Sequence, residues 1–323
     1  MWRKLLSVLA DPDDGLPLTL VGDDGTDPIV QGELVSPAGA RYPIIRGIPR
    51  FVDPSNYAGS FGLQWNKFAK VQLDSFTGLS HSRQRFDAEV CWAGEIAGRW
   101  VLDAGCGSGR FAEVAAGYGA DVIAVDLSSA VEAAMDNLGE KSNVHVIQAD
   151  INRLPLRREM IRYVYSIGVL QHTPNPVASA RKLLSQLPPG GRFCFTIYGR
   201  KPWTKLFSKY WFRPVTRRVA PDRLLRIIED AMPVLYPVTT VLYSIPYANR
   251  VFQFLIPVAN YVDMKDLPRS LRYQEAVLNT FDMLSPRYDN PITAGELTRG
   301  LAEVPVDTTM LKTIPVVACG VRK

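Results

Sequence analysis

The sequence predicts an α/β fold built on a parallel sheet, and three observations carry that expectation. From Trp100 to about residue 198, apolar strand-like runs alternate with helical stretches. A glycine-rich turn, VLDAGCGSGRFA over 101–112, follows the first of those runs directly. Acidic residues then end three successive apolar runs, at Asp103, Asp126 and Asp150.

The elements follow in order. RWVLDA reads as a strand and SGRFAEVAAGYG as a helix; ADVIAVDLS is a strand and SAVEAAMDNLGE a helix. NVHVIQAD and IRYVYSIG are strands, PVASARKLLSQL is a helix stopped by PPGG, and RFCFTIYG is a strand. The closing stretch AEVPVDTTMLKTIPVVACGVRK returns to strand texture and suits a hairpin. Texture divides the chain into a small β-rich unit (1–55), a helical segment (56–98), the alternating core (99–199), a basic and apolar helical insertion (200–280) after the fifth strand, and C-terminal strands completing the core (281–323).

Bulk properties exclude several classes. The composition, 47% hydrophobic and 21% charged with net charge +5, is that of a soluble globular chain. Cys91, Cys106, Cys194 and Cys319 stand singly, which argues against zinc-ribbon, iron–sulfur and disulfide frameworks and fits a reducing cytoplasm. MWRKLLSVLADPDDG is too short in apolar character for a secretory signal, and no apolar run is long enough to span a membrane.

The glycine turn admits two ligands. A dinucleotide site needs G-x-G-x-x-G, but Arg110 stands where the third glycine would be. The alternative is S-adenosylmethionine, held by G-x-G-x-G after an acid at the strand tip, here Gly105, Gly107 and Gly109 after Asp103. Its ammonium and sulfonium favour nearby carboxylates. Asp126, seventeen residues beyond Gly109, suits two ribose hydroxyls, and Asp150 suits the adenine amine.

Residues 100 to about 198 resemble class I S-adenosylmethionine-dependent methyltransferases through VLDAGCGSGRF, VIAVDLS, QADINRLPL and YSIGVLQHTPNP. The resemblance implies a Rossmann-like methyltransferase sheet of seven strands with the last antiparallel. It implies that 99–199 binds S-adenosylmethionine, with S-adenosylhomocysteine as product. Asp126 would meet the ribose, Asp150 and Ile151 the adenine, and Gly105 to Gly109 the methionine part; Cys106, Leu127 and Gln171 complete the expected cofactor set. The motifs name the cofactor and leave the acceptor open.

Methyl transfer is an in-line displacement that chiefly needs alignment, and a base only for a poor nucleophile such as a hydroxyl. His172 in VLQHTPNP is the candidate base or orienter, against a purely structural loop histidine; Gln171 shares that standing. No NPPY-type tetrapeptide and no Pro-Cys nucleophile are present.

The N-terminal stretch resembles the small zinc ribbon that precedes some methyltransferases. Asp11 to Gly15 and Ser36 to Gly39 stand where its cysteine pairs would, so a metal-free relic held by its own apolar contacts and packed on the main domain is expected. Tyr57, Phe61, Gln64 and Trp65 are candidates to close over the cofactor or merely to staple their segment to the sheet; Tyr198, Arg287 and Tyr288 are further acceptor-side candidates.

Residues 200–226 hold nine basic residues and one acid, with Trp203, Phe207, Tyr210, Trp211 and Phe212 interleaved. Residues 231–262 carry one charge, Arg250, and Pro233, Pro237, Pro246 and Pro257 are expected to interrupt the stretch, so no continuous membrane-spanning helix is expected. A lid, a contact with an anionic bilayer, and an RNA grip all fit this region, with the lid preferred, alone or together with membrane contact. The expected activity is methyl transfer, at oxygen, to a small-molecule, glycan- or lipid-linked acceptor. The expected location is the cytoplasm or the inner membrane face, and no metal is expected. The alternatives are an RNA methyltransferase and a non-catalytic S-adenosylmethionine-binding partner subunit.

Overall fold

The computed structural model describes residues 1–22, 25–53 and 55–323. Strands β1 (Thr19–Val21), β2 (Gly32–Val35), β3 (Arg41–Ile45) and β4 (Ile48–Pro49) form an antiparallel sheet in chain order. Helices α1 (Gly59–Lys67), α2 (Asp74–Thr77) and α3 (His81–Glu89) follow. The alternating core then runs β5 (Trp100–Ala104), α4 (Arg110–Gly117), β6 (Asp121–Asp126), α5 (Ala130–Leu138), β7 (Val144–Gln148), β8 (Tyr163–Ile167), α6 (Pro176–Leu184) and β9 (Arg192–Ile197). Helices α7 (Lys209–Thr216), α8 (Pro221–Ser244), α9 (Asn249–Leu255) and α10 (Arg269–Leu284) come next, then α11 (Ala294–Leu301), β10 (Val306–Thr313) and β11 (Val316–Arg322).

The main sheet has seven strands in the order β10-β11-β9-β8-β5-β6-β7. β5 to β9 are mutually parallel, and β11 enters antiparallel against β9, as expected for the last strand. The strand order reverses at β5, which pairs with β6 on one side and β8 on the other. A crevice opens at the carboxyl ends of strands at such a switch point. β5 to β9 are almost wholly buried because helices cover both faces, which explains their unbroken apolar runs.

The small N-terminal sheet packs on the main domain, and the two are held by apolar contacts in common. Leu5, Leu9, Ile29, Leu34, Ile44 and Phe51 fall in one apolar cluster with Leu102, Ile123, Ile147 and Leu156 of the main core. Its core is therefore shared with the main sheet. Arg50 bridges to Gln148 at the end of β7, and Arg46 and Arg50 reach Glu132 on α5. Where the ribbon's metal would sit, buried Asp11 accepts hydrogen bonds from the Asp13 amide (2.8 Å) and the Tyr42 hydroxyl (3.0 Å). Burial opposes ionisation, but these donors outweigh it and hold the Asp11 pKa below its ordinary value. Among the described residues no group of three or more His, Cys, Asp or Glu is arranged to hold a metal ion.

In the insertion Pro246 and Pro257 fall outside the helices as expected, whereas Pro233 and Pro237 do not interrupt theirs. α8 runs unbroken through Pro233 and Pro237 and ends only before Pro246. Leu224, Leu225, Ile228, Met232, Tyr236 and Tyr243 face inward at spacings of three and four, against Phe68, Val71 and the inner face of α10. Both prolines lie on the opposite, exposed face, where water can satisfy the carbonyls they leave unbonded. No described helix is long and apolar enough to cross a membrane.

Candidate cofactor and acceptor site

The site grows from the tip of β5. Apolar Val101, Leu102 and Ala104 lock the strand into the core, and the chain then turns sharply at Gly105 with φ 93°. A Cβ there would lie 2.4 Å from the Val169 side chain, so only glycine fits. Gly107, at φ 54°, lies beneath Trp65: a Cβ would be 3.1 Å from the indole Nε1. The turn thus presents bare backbone to a cavity, and α1 lays an aromatic across it.

Asp126 ties this turn to the next strand. One carboxylate oxygen accepts from the Gly107 amide (3.0 Å), the other from the Ser128 amide (2.8 Å) and hydroxyl (2.7 Å). Burial raises its pKa, and these donors oppose the rise. Asp150 accepts from the amide and side chain of Asn152 through one oxygen. Asp103 lies deeper, 2% exposed, with Oδ2 lacking a hydrogen-bond partner. Burial pushes its pKa up to about 8, opposed in part by Tyr165.

A cavity of about 200 Å³ collects most of the residues singled out from the sequence. Gly105, Cys106, Gly107, Asp126, Leu127, Asp150 and Ile151 line it from the strand tips; Tyr57, Phe61, Gln64 and Trp65 line it from α1 and the turn before it; His172 and Tyr198 complete it. Asp103, Gly109 and Gln171 do not line it. Gly109 faces Leu138 of α5, and Gln171 is fully buried with both amide atoms unpartnered. Arg287 and Tyr288 line a second cavity, which shares Tyr57 with the first.

Three histidines sort cleanly. His145 is buried in β7 against Trp100, and burial lowers its pKa to about 4. His81 pairs with Asp266 at 2.6 Å, outside the cavity. His172 alone reaches the cavity, wedged between the rings of Phe61 (4.9 Å) and Tyr198 (5.5 Å). Its Nδ1 lies 3.0 Å from the Tyr288 carbonyl oxygen. A carbonyl only accepts, so Nδ1 carries a proton, and Nε2 is the ring nitrogen left to exchange one.

The far wall was not foreseen. α10 contributes Leu278, Asn279 and Asp282, and Gln72, Arg85 and Arg110 also line the cavity. The Gln64 side-chain amide donates to Asp282 (3.1 Å), and the Tyr198 hydroxyl approaches its other oxygen (3.5 Å). Arg110 donates to Gln72 (2.9 Å) and Ser82 (3.0 Å); burial lowers its pKa to about 10. The available signal was the polar spacing Glu275, Asn279, Asp282 on a helix whose apolar positions Ala276, Val277, Leu278, Phe281 and Leu284 are buried.

The donor set suits a cationic, adenosine-bearing ligand. Carboxylates rather than phosphate-binding amides converge on the turn, and Gly107 leaves room for close approach. Residues 102–195 match the family described as "Methyltransferase domain". Residues 102–195 of the chain are thus a methyltransferase domain. Over 125 residues it is 33% identical to the ubiquinone biosynthesis O-methyltransferase of Pseudomonas fluorescens (strain SBW25), covering 37% of this chain and 54% of that protein. A protein of the same description from Acinetobacter baumannii (strain AYE) is 31% identical over 122 residues, covering 36% and 51%. The chain thus spans about half the length of the curated relatives it matches. A solved S-adenosylmethionine-dependent methyltransferase from Mesorhizobium loti is 29% identical, covers 32% of this chain and 48% of that one, and has a TM-score of 0.30.

Proposed function

We propose that this methyltransferase domain transfers a methyl group to an oxygen of a small-molecule, glycan- or lipid-linked acceptor, without a metal. The observation that carries the reading is the histidine at the cavity wall. His172 is fixed by the Tyr288 carbonyl and two aromatic rings, with Nε2 unbonded to any described residue. Bound in the cavity, S-adenosylmethionine would supply an electrophilic methyl group on a sulfonium. Asp126 and Asp150 would hold its ribose and adenine, and the Gly105–Gly107 backbone its methionine part. His172 Nε2 would accept the acceptor hydroxyl proton as oxygen becomes the nucleophile. Phe61, Trp65 and Tyr198 would exclude water and fix the approach. The O-methyltransferase description of the relatives supports oxygen as the acceptor atom.

The membrane-facing part of the proposal rests on α7 and its approach. Trp203, Leu206, Trp211, Phe212 and Val215 are all about half exposed or more, beside the basic residues of 200–226. Apolar rings among cations suit the interface of an anionic bilayer. The test is methyl transfer from labelled S-adenosylmethionine to panels of hydroxylated metabolites, glycans, lipid-linked sugars and bulk RNA. Label in a hydroxylated small molecule or lipid fraction supports the reading; label only in RNA rejects it.

A further inference from the structure

We infer, resting on the methyltransferase reading, that the acceptor carries a phosphate or diphosphate group, and that the second cavity holds it. This cavity measures about 1,220 Å³ and adjoins the first through Tyr57, whose ring meets Tyr288 edge-on at 5.2 Å. Its lining is strongly basic. The acid in it, Asp289, is already engaged by Lys209 (2.8 Å) and by Arg213, and Arg200 is held by Glu296. Lys205, Arg217, Arg218 and Arg287 remain, and no acidic partner faces them among the described residues.

On a convex surface such a run would be a solvated face. Here the four cations converge on one concavity, so their mutual repulsion is relieved by an anion placed among them. Three of the four are arginines, whose planar forks match phosphate oxygens two at a time. A single carboxylate neutralises one charge; a diphosphate matches the cluster more closely.

The geometry links this anion to the chemistry. Arg287 is chain neighbour to Tyr288, whose carbonyl fixes His172. Tyr57 lies where the two cavities meet. A phosphate seated among the arginines therefore sits to one side of that tyrosine, and the hydroxyl to be methylated reaches past it toward His172. Phosphate recognition fixes the acceptor's anionic end while the cofactor cavity receives its reacting end.

The test uses the full chain with inorganic pyrophosphate as probe, titrated calorimetrically in the presence of saturating S-adenosylhomocysteine. Saturable binding is expected. It should weaken about 10-fold or more in the Arg217→Gln/Arg287→Gln double variant, as expected for lost charge-assisted contacts, and stay unchanged in Lys141→Gln. A parallel arm uses phosphatidylcholine vesicles with and without phosphatidic acid. Binding there alone, abolished by the same double substitution, assigns the phosphate to a lipid; binding of soluble pyrophosphate assigns it to a diffusible ester. Binding to neither probe, or binding indifferent to the arginines, overturns the inference. S-adenosylhomocysteine affinity of the unmodified chain is read separately: its absence would sink the methyltransferase reading, whereas its presence without phosphate binding would sink only this inference.

Discussion

Asp103→Asn should change how stability depends on pH. Asp103 is 2% exposed at the end of β5, and burial lifts its pKa from 3.8 to about 8. The folded chain therefore keeps this proton where the unfolded chain has released it. Below about pH 4 both states are protonated and the group's contribution is complete. As pH rises toward 8 the unfolded state binds fewer protons, so this contribution to stability falls. At 1.36 kcal/mol per pH unit, the interval from pH 5 to 8 sets a ceiling of about 4 kcal/mol; water admitted on ionisation lowers it, to about 2 kcal/mol. Asparagine keeps the shape and cannot ionise. Urea unfolding of both proteins at pH 5, 6.5 and 8 gives the assay. The variant's stability relative to the unmodified chain should rise by about 2 kcal/mol across that range. A difference that does not change with pH would refute the assignment of a neutral, desolvated Asp103.

Other expectations are as direct. Trp65 lies across Gly107, so cofactor binding should alter tryptophan fluorescence, and Trp65→Phe should remove most of that change while retaining binding. Replacing His172 with Gln should lower kcat for the identified acceptor by about 100-fold or more with cofactor affinity within about 3-fold; unchanged kcat would leave His172 structural. Pro233→Ala and Pro237→Ala on the exposed face of α8 should each raise stability by about 1–2 kcal/mol, the regained helix propensity outweighing the looser unfolded chain; a loss in thermal denaturation would show that the prolines match a required bend. Co-sedimentation with anionic vesicles should fall when Trp203, Trp211 and Phe212 are replaced by Ser, and retention of binding would remove α7 from the membrane account.

The cofactor half of the site was legible in the sequence because its signals are local. A strand, a glycine turn and a helix are contiguous from Trp100 to Gly117, and Asp126 ends one strand and Asp150 lies two residues beyond the next, in an order that follows from βαβ rules. The acceptor half was not, because its residues arrive from far along the chain. Asp282 meets Gln64 across 218 positions, and His172 is fixed by a backbone carbonyl 116 residues away. No side-chain preference encodes a contact made by a carbonyl. The prolines of α8 misled for a related reason: a proline's cost depends on which face it occupies, and the face is set by packing against α10. That the N-terminal unit shares its core with the main sheet was not legible either: Leu5, Leu34 and Phe51 join the apolar cluster beneath β5, β6 and β7.

The central claim is that the acids at the strand tips bind S-adenosylmethionine. The most direct measurement is a calorimetric titration of S-adenosylmethionine into the unmodified chain and Asp126→Ala in parallel. One site per chain is expected, and removing the carboxylate that meets the ribose and braces Gly107 should weaken it about 100-fold, from the loss of roughly 3 kcal/mol in charge-assisted hydrogen bonds. Circular dichroism of the variant should match that of the unmodified chain. No binding to the unmodified chain, or equal affinity in a folded Asp126→Ala variant, would contradict the account.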